Sequence, residues 1–133
     1  MKIGVTGTRE GMNETQFEEL HEYLKQFDPA TTELHHGDCV GVDVQVAELA
    51  MLLGFRVVCH PPESDYLRAF HKSHEFRQSF GYLKRDRNIV DEIDLLLVVP
   101  LQDEWQPKGG TWYTHDYAKK KGKNLVVFFP KRR

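Results

Sequence analysis

Five short apolar runs, separated by stretches with helical periodicity, constrain the fold of this chain more than any other feature. They are rich in β-branched and aromatic residues and lie at 2–6, 33–36, 56–60, 95–99 and 125–129. Alternation of such runs with helical stretches is typical of strands joined by crossover helices. Because the runs are apolar throughout, each strand is expected to be covered on both faces, as in parallel sheets. The sequence therefore predicts an α/β fold with a mainly parallel five-stranded sheet and helices on both faces.

Helical signals are clearest in three of the intervening stretches. The first helix is predicted to begin at Asn13, which forms a capping pair with Gln16, and to end at Asp28-Pro29. Its core-facing stripe is predicted to consist of Phe17, Leu20 and Leu24. Two further helices are predicted at 42–53 and 112–121, each ending before a glycine that can adopt a left-handed cap.

Residues 61–81 do not fit this alternation. The segment begins with two prolines and has no clean hydrophobic period, so we expect a loop with helical turns. It is longer than an ordinary connection, and such excursions often form a lid or a partner surface. The absence of repeats and low-complexity tracts predicts that residues 1–133 form a single domain.

Charge and composition exclude several classes of protein. The net charge of −2 argues against indiscriminate nucleic-acid binding, which needs a strongly basic surface. The basic runs at 119–123 and 131–133 are interpreted as a solvated helix end and a solubilising tail. No apolar run is long enough to span a membrane and no signal-peptide pattern is present, which predicts a cytoplasmic protein. Cys39 and Cys59 are interpreted as packing residues in a reducing compartment.

Two glycine-containing turns follow the first and second runs and lead into helices. Both are expected to open at the carboxyl edge of the sheet, where ligands of open α/β folds bind. Their amides, hydroxyls and one guanidinium suit a phosphate. The candidate ligand-binding residues are Gly7, Thr8 and Arg9 in the first turn and Gly37, Asp38, Gly41 and Asp43 in the second. Two alternatives stay open: Asp38 accepts hydrogen bonds from a ribose or caps its turn, and Asp43 contacts a ligand or serves only as an N-terminal helix residue.

The third glycine turn follows the fourth run and opens the last helix. A Gly-Gly-Thr sequence at a helix N-terminus directs consecutive amides and a helix dipole at one anion. Its candidate ligand-binding residues are Gly109, Gly110, Thr111, Trp112 and Thr114. Arg87 and Asn88 lie on the preceding predicted helix. Arg87 either faces the sheet edge and clamps a phosphate, or faces outward and pairs with Asp91.

Four segments in this order carry a family resemblance: T-G-T-R, H-G-D-C-V-G-V-D, R-N-I-V-D-E-I-D-L-L-L-V-V-P and G-G-T-W-Y-T-H-D-Y-A-K-K-K-G-K. They resemble the SLOG superfamily of nucleotide-binding proteins, which includes the DNA-processing protein DprA and the Lonely Guy phosphoribohydrolases. The resemblance covers most of the chain except 61–81. It implies a Rossmann-like domain, a nucleotide-type ligand between the glycine turns, and a homo-oligomer, since relatives commonly pair through helices that flank the site.

Lonely Guy enzymes carry a P-G-G-x-G-T-x-x-E signature and an arginine on the preceding helix. Arg87 looks like that arginine, whereas Thr114 stands where the glutamate is expected. Asp116 lies about 200° further round the helix, and His115 is the remaining acid or base. The leading interpretation is therefore a binding or sensor domain for a nucleotide-type small molecule. The alternatives are a phosphoribohydrolase-type hydrolase that uses Arg87, His115 and Asp116, and single-stranded DNA binding.

Histidines are the remaining group that attracts attention. His35, His36 and His60 lie near strand ends and are interpreted as structural, so the sequence predicts no metal. No cofactor is predicted either, because the first turn lacks the G-x-G-x-x-G spacing of dinucleotide sites.

Overall fold

The structure is a computed structural model that describes residues 1–131, so the last two residues of the basic tail lie outside it. The strands are β1 (Lys2–Gly7), β2 (Glu33–His36), β3 (Arg56–Cys59), β4 (Glu75–Phe76), β5 (Leu95–Val99) and β6 (Asn124–Val127). The helices are α1 (Glu14–Leu24), α2 (Val42–Leu52), α3 (Tyr82–Glu92) and α4 (Gly110–Lys120), with a 3-10 turn at Pro29–Thr31. No helix within residues 1–131 is long and apolar enough to cross a membrane.

All six strands described belong to one parallel sheet, in the order β4-β3-β2-β1-β5-β6. Without the short edge strand β4, this is the 3-2-1-4-5 order of doubly wound α/β folds. β1 lies centrally, with Gly4 opposite His35 of β2 and Gly7 opposite Val99 of β5. From β1 the chain adds β2 and β3 on one side and then β5 and β6 on the other. This change of side leaves a crevice between the carboxyl ends of β1 and β5. The predicted α/β fold and parallel sheet are thus confirmed.

The strand count and the nature of residues 61–81 differ from prediction. The sheet has six strands rather than five, because Glu75 and Phe76 pair with Val58 and Cys59 of β3. Residues 61–81 contain no helical turn, so that part of the prediction is wrong. A two-residue edge strand with one glutamate and an exposed phenylalanine lacks the apolar run on which strand prediction depends.

Two hydrophobic layers enclose the sheet. On one face, α1 and α2 pack against Leu95, Leu97 and Val99; on the other, α3 and α4 pack against Leu96 and Val98. Successive side chains of β5 therefore enter opposite cores, as expected for a strand buried on both faces. All five residues of β5 are buried, which explains its uninterrupted apolar sequence.

Helix α1 begins as predicted but presents a different face to the core. Asn13 and Gln16 form the expected capping box. Phe17 was expected to face the core, but it is 43% exposed, while Gln16 is buried with Leu20 and Leu24. The Gln16 amide donates to the carbonyl oxygens at the ends of β5 and β6, at 2.7 Å and 2.9 Å. These hydrogen bonds satisfy the buried amide and orient the helix so that residues spaced by four face the sheet.

The packing of the sheet predicts that substitutions of a buried and an exposed leucine change stability by very different amounts. Leu97→Ala is expected to lower the free energy of unfolding by about 2–5 kcal/mol, because it leaves a cavity beneath α1 and α2. Leu52→Ala is the matched control, since Leu52 is 85% exposed, and it is expected to change stability by less than about 0.5 kcal/mol. Urea denaturation followed by circular dichroism measures both. Equal effects of the two substitutions would contradict this packing.

Candidate functional site

A cleft of about 510 Å³ opens at the carboxyl ends of β1 and β5, and we call it the switch-point cleft. It is formed by the turn after β1, the start of α2, the first turn of α3 and the start of α4. Its lining residues are Thr6, Gly7, Thr8, Arg9, Glu10, Cys39, Asp43, Tyr82, Leu83, Arg85, Asp86, Leu101, Gln102, Lys108, Gly109, Gly110, Thr111 and Trp112.

The turn after β1 is locked to its neighbours through Thr8. The Thr8 amide donates to Val99 of β5 at 3.0 Å, and its carbonyl accepts from Val42 of α2 at 3.0 Å. Close packing requires glycine at two positions here. A Cβ atom at Gly41 would lie 2.4 Å from the Arg9 carbonyl oxygen, and one at Gly7 would lie 2.5 Å from Val42. Gly41 also has a φ of 89°, which favours glycine.

The third glycine turn differs because nothing crowds it. Apart from adjacent backbone, no atom of residues 1–131 lies within 4 Å of the Cβ positions at Gly109 and Gly110. Gly109 has a φ of 101°, but Gly110 is required neither by backbone conformation nor by packing. The N-cap residue of α4 is Gly109, which has no side chain to bond the first amides of the helix, and the first residues of α4 line the cleft.

A buried arginine on α3 closes the floor of the cleft. Arg85 is 3% exposed and donates to the carbonyl oxygens of Gly37 and His60, the latter at 3.2 Å. Its Nε donates to the Asp86 carboxylate at 2.7 Å. A Cβ atom at Gly37 would lie 2.7 Å from the guanidinium, so this glycine makes room for the cation.

Two acidic side chains stand beside this cation. Burial raises the pKa of Asp43 to about 6, although the charge of Arg85 and amide donors from Cys39 and Gly37 oppose the shift. Burial likewise raises the pKa of Asp86, against the opposing charge of Arg85. Burial also raises the pKa of the Cys39 thiol to about 11, so this thiol stays protonated near neutral pH. The cleft thus holds two carboxyl groups that retain protons more readily than exposed ones.

Tyr82 presents its ring to two cations at the mouth of the cleft. The guanidinium carbons of Arg9 and Arg85 lie 5.6 Å and 5.5 Å from its ring centre. With Lys108, these arginines give the cleft three cationic groups. They face Glu10, Asp43 and Asp86, so an anion that enters meets positive charge partly offset by protonatable acids.

The structure brings together the predicted residues of the first turn, Asp43 of the second and most of those of the third. Lining the cleft are Gly7, Thr8, Arg9, Asp43, Gly109, Gly110, Thr111 and Trp112. Trp112 is 3% exposed and its indole donates to Gln102 at 3.0 Å, so most of its ring packs α4 against the sheet. Asp43 also accepts from the amides of Gly37 and Cys39, which is the structural role considered for it.

Other predicted residues lie outside the cleft for identifiable reasons. Gly37 and Gly41 are packing glycines, as described above. Asp38 is fully buried and its oxygens accept from Arg68 and from the His71 amide, so it fixes residues 61–81 rather than reaching the cleft. Thr114 is buried and donates back to Gly110 at 2.8 Å within α4.

The proposed catalytic trio and Asn88 also lie elsewhere. Arg87 and Asp116 line a neighbouring groove of about 760 Å³ between α3 and α4, where Arg87 donates to Tyr113 at 2.9 Å. His115 lies 2.8 Å from Asp116, on the same outer part of α4. Asn88 lines a third cavity, of about 370 Å³, behind α3. Gly109 and Gly110 border both the cleft and the α3–α4 groove.

The motif predicts Arg87 as the ligand-binding arginine, but the arginine of α3 that lines the cleft is Arg85. Both lie on α3, but Arg85 shares a stripe with Ile89 and Ile93, spaced by four residues and facing the sheet. Arg87 is about 200° away around the helix and therefore lies on the outer side. Reading the helical phase from the apolar stripe would have identified Arg85.

Comparison with known proteins supports the fold. No protein-family model and no curated protein sequence matches the chain. Among solved structures, the chain is similar to the crystal structure of TM1055, a structural genomics target. The TM-score is 0.63 at 18% sequence identity, over 93% of this chain and 71% of that chain. At this identity the likeness concerns the fold alone.

The raised pKa of Asp43 predicts a pH-dependent stability. Asp43 ionises near pH 4 in the unfolded chain and near pH 6 in the folded one. The folded state is therefore most stable, with respect to this group, below about pH 4, and it loses stability as the pH rises through this range. Relative to Asp43→Asn, the wild type is expected to lose up to about 3 kcal/mol as the pH rises from 4 to 7.

Urea denaturation at a series of pH values measures this difference. Asp65→Asn serves as the control because the Asp65 side chain is 78% exposed. A difference between the wild type and Asp43→Asn that stays constant with pH would contradict the prediction.

Proposed function

We propose that the switch-point cleft binds a nucleotide or nucleotide-derived anion, and that the protein acts as a binding or sensor domain. The observation that carries this proposal is the open N-terminus of α4. Neither packing nor backbone conformation requires glycine at position 110. The absence of a side chain there leaves the amides of the first turn of α4 accessible to a ligand. A helix N-terminus of this kind stabilises a phosphate through its free amides and its dipole.

The cleft supplies further groups that suit a phosphate. Arg9 and Lys108 are exposed cations at its rim, and Thr8 and Thr111 add hydroxyls. Arg85 adds positive charge from below, although its donors are already directed at protein oxygens. Arg9 and Lys108 are therefore the cations free to move onto a ligand, while Arg85 acts through the local potential.

Size and position agree with a nucleotide-sized ligand. A volume of about 510 Å³ lies within the range of small-molecule sites. The cleft is at the crevice between β1 and β5, where doubly wound folds bind nucleotides. The half-buried ring of Tyr82 offers an apolar surface for a base or a ribose.

Gly110→Asp tests the helix N-terminus directly. An aspartate fits the open space and favours the N-terminus of a helix, so the variant is expected to keep its melting temperature. Its carboxylate competes with a phosphate for the same amides, and affinity for nucleoside 5′-monophosphates is expected to fall at least about tenfold. Calorimetry with a panel of nucleoside 5′-mono- and triphosphates measures this, with unphosphorylated nucleosides for comparison.

Ala30→Asp is the matched control because it adds the same charge at an exposed position on the opposite edge of the sheet. It is expected to leave affinity unchanged. Absence of binding by every phosphorylated nucleoside up to millimolar concentration would refute the proposal.

A pair of arginines distinguishes the cleft from the adjoining groove. Arg9→Ala is expected to weaken phosphate binding by about tenfold, since Arg9 is an exposed cation at the rim of the cleft. Arg87→Ala should have little effect, because Arg87 lies in the α3–α4 groove and is held by Tyr113. The reverse ranking in the same calorimetric titration would move the ligand into the groove.

The two carboxyl groups of the cleft favour one second candidate, a phosphoribohydrolase-type N-glycoside hydrolase. Asp43 and Asp86 replace the glutamate that the sequence lacks at Thr114, and they replace His115 and Asp116 as acids near the ligand. A carboxyl group with a raised pKa can protonate the leaving base, while a carboxylate stabilises the ribosyl cation and directs water to it.

This candidate predicts release of free base from a nucleoside 5′-monophosphate, with loss of at least about a hundredfold in rate on Asp86→Asn. Chromatography of the reaction mixture detects the base. The binding domain proposed above predicts that no base is released beyond the rate seen without protein.

A further inference from the structure

We propose that His35, His60 and Glu92 form a divalent metal site, separate from the switch-point cleft. His35 lies on β2 and is fully buried, His60 follows β3 and is 2% exposed, and the Glu92 side chain at the end of α3 is 30% exposed. The Nδ1 atom of His35 lies 2.9 Å from Nε2 of His60, which in turn lies 3.5 Å from Oε2 of Glu92. The three ligand atoms thus converge from three different elements.

Hydrogen bonding on the far side of His35 assigns its lone pair. The Glu33 carboxylate lies 2.9 Å from Nε2 of His35, so this nitrogen carries the proton and Nδ1 directs a lone pair at His60. A carboxylate that holds the outer nitrogen of a histidine is the arrangement found behind metal-ligating histidines. Without a metal, the Nε2–H of His60 donates to this lone pair of His35. A bound cation would replace that hydrogen bond, with the His60 proton on Nδ1 and the Nε2 lone pair directed at the metal.

The spacing suits a small cation with nitrogen and oxygen ligands. An ion at about 2.0–2.1 Å from both ring nitrogens fits their present separation at an angle of about 90°. If the distance between the two ring nitrogens increases by a few tenths of an ångström, it reaches about 3.4 Å, the separation of two ligand atoms in a tetrahedral site. The distance between Nε2 of His60 and Oε2 of Glu92 is already close to this value. Two histidines and a glutamate are a known ligand set for Zn²⁺ with an open fourth position.

The fourth position faces a cavity of about 370 Å³. His60 and Glu92 both line it, together with Asp91 and Asn88, so a water or an anion can complete the coordination. Arg77 also reaches Glu92: its Nε donates to Oε1 at 3.1 Å and to Oε2 at 3.3 Å. Oε2 still lies 3.5 Å from Nε2 of His60, so a cation would share this oxygen with Arg77. Glu33, Glu92 and Asp91 together offset the positive charge that Arg77 and Arg85 bring to this region.

A second buried group, made of His36, Asp38 and Cys59, does not share these properties. Asp38 is bonded to Arg68 and to the His71 amide, and the two ring nitrogens of His36 contact the Asp38 amide and Ser73. His36 and Asp38 are therefore bonded to groups outside their own cluster, whereas the inner nitrogens of His35 and His60 contact each other.

The test uses the full chain without an affinity tag, stripped with EDTA and titrated with ZnCl₂ by calorimetry. We expect saturation at one Zn²⁺ per chain and a rise in melting temperature. CoCl₂ in place of ZnCl₂ is expected to give the intense visible absorption of low-coordinate Co²⁺ with nitrogen ligands. Absence of saturable binding by both ions would overturn the site and leave a direct hydrogen bond between the histidines.

Variants separate this site from other metal-binding groups. His60→Ala is expected to abolish stoichiometric Zn²⁺ binding. If His60→Ala does not fold, Glu92→Gln, which keeps the shape of the side chain, is expected to abolish it as well. Glu33→Gln is expected to weaken Zn²⁺ binding by at least about tenfold without changing stoichiometry, because Glu33 acts through His35. His21→Ala on α1 is the control and should bind as the wild type does. Binding that survives both His60→Ala and Glu92→Gln would overturn the assignment.

Discussion

A buried positive charge at the carboxyl edge of the sheet is the constraint on which the rest of the site depends. A guanidinium that loses its hydration must find acceptors inside the protein. Arg85 finds them in the carbonyl oxygens of Gly37 and His60 and in the carboxylate of Asp86. These bonds fix α3 against the ends of β2 and β3. A side chain at position 37 would displace the guanidinium from this position, since a Cβ atom there would lie 2.7 Å from it.

The same cation determines the electrostatics of the cleft. Arg85 compensates for part of the charge of buried Asp43 and of partly exposed Asp86, yet burial still raises the pKa of each. An anion that enters the cleft adds negative charge beside them and favours their protonated forms. Binding of an anion here would therefore be coupled to proton uptake by Asp43 and Asp86, whereas the amides of α4 and the arginines of the cleft keep their charge near neutral pH.

The sequence was sufficient for the elements with strong periodic patterns and insufficient where one tertiary contact decides. The apolar run of β5 and the alternation of strands and helices identified the parallel sheet. β4 carries no such pattern, because pairing with β3 alone makes it a strand. At the site, glycine spacing located the turns but could not separate Gly37, which makes room for Arg85, from Gly110, which is open. The motif position points to Arg87, whereas the apolar stripe of α3 places Arg85 toward the sheet.

The short edge strand β4 has a consequence for how the molecule behaves among its own copies. An exposed sheet edge offers unpaired amides and carbonyls that can recruit a strand from another chain. Here the edge extends over only two residues, and Glu75 is tied to Arg56 and Arg77 by ion pairs. Charged side chains and a brief edge make intermolecular strand addition unfavourable. The short, charged strand β4 therefore disfavours aggregation through this side of the sheet.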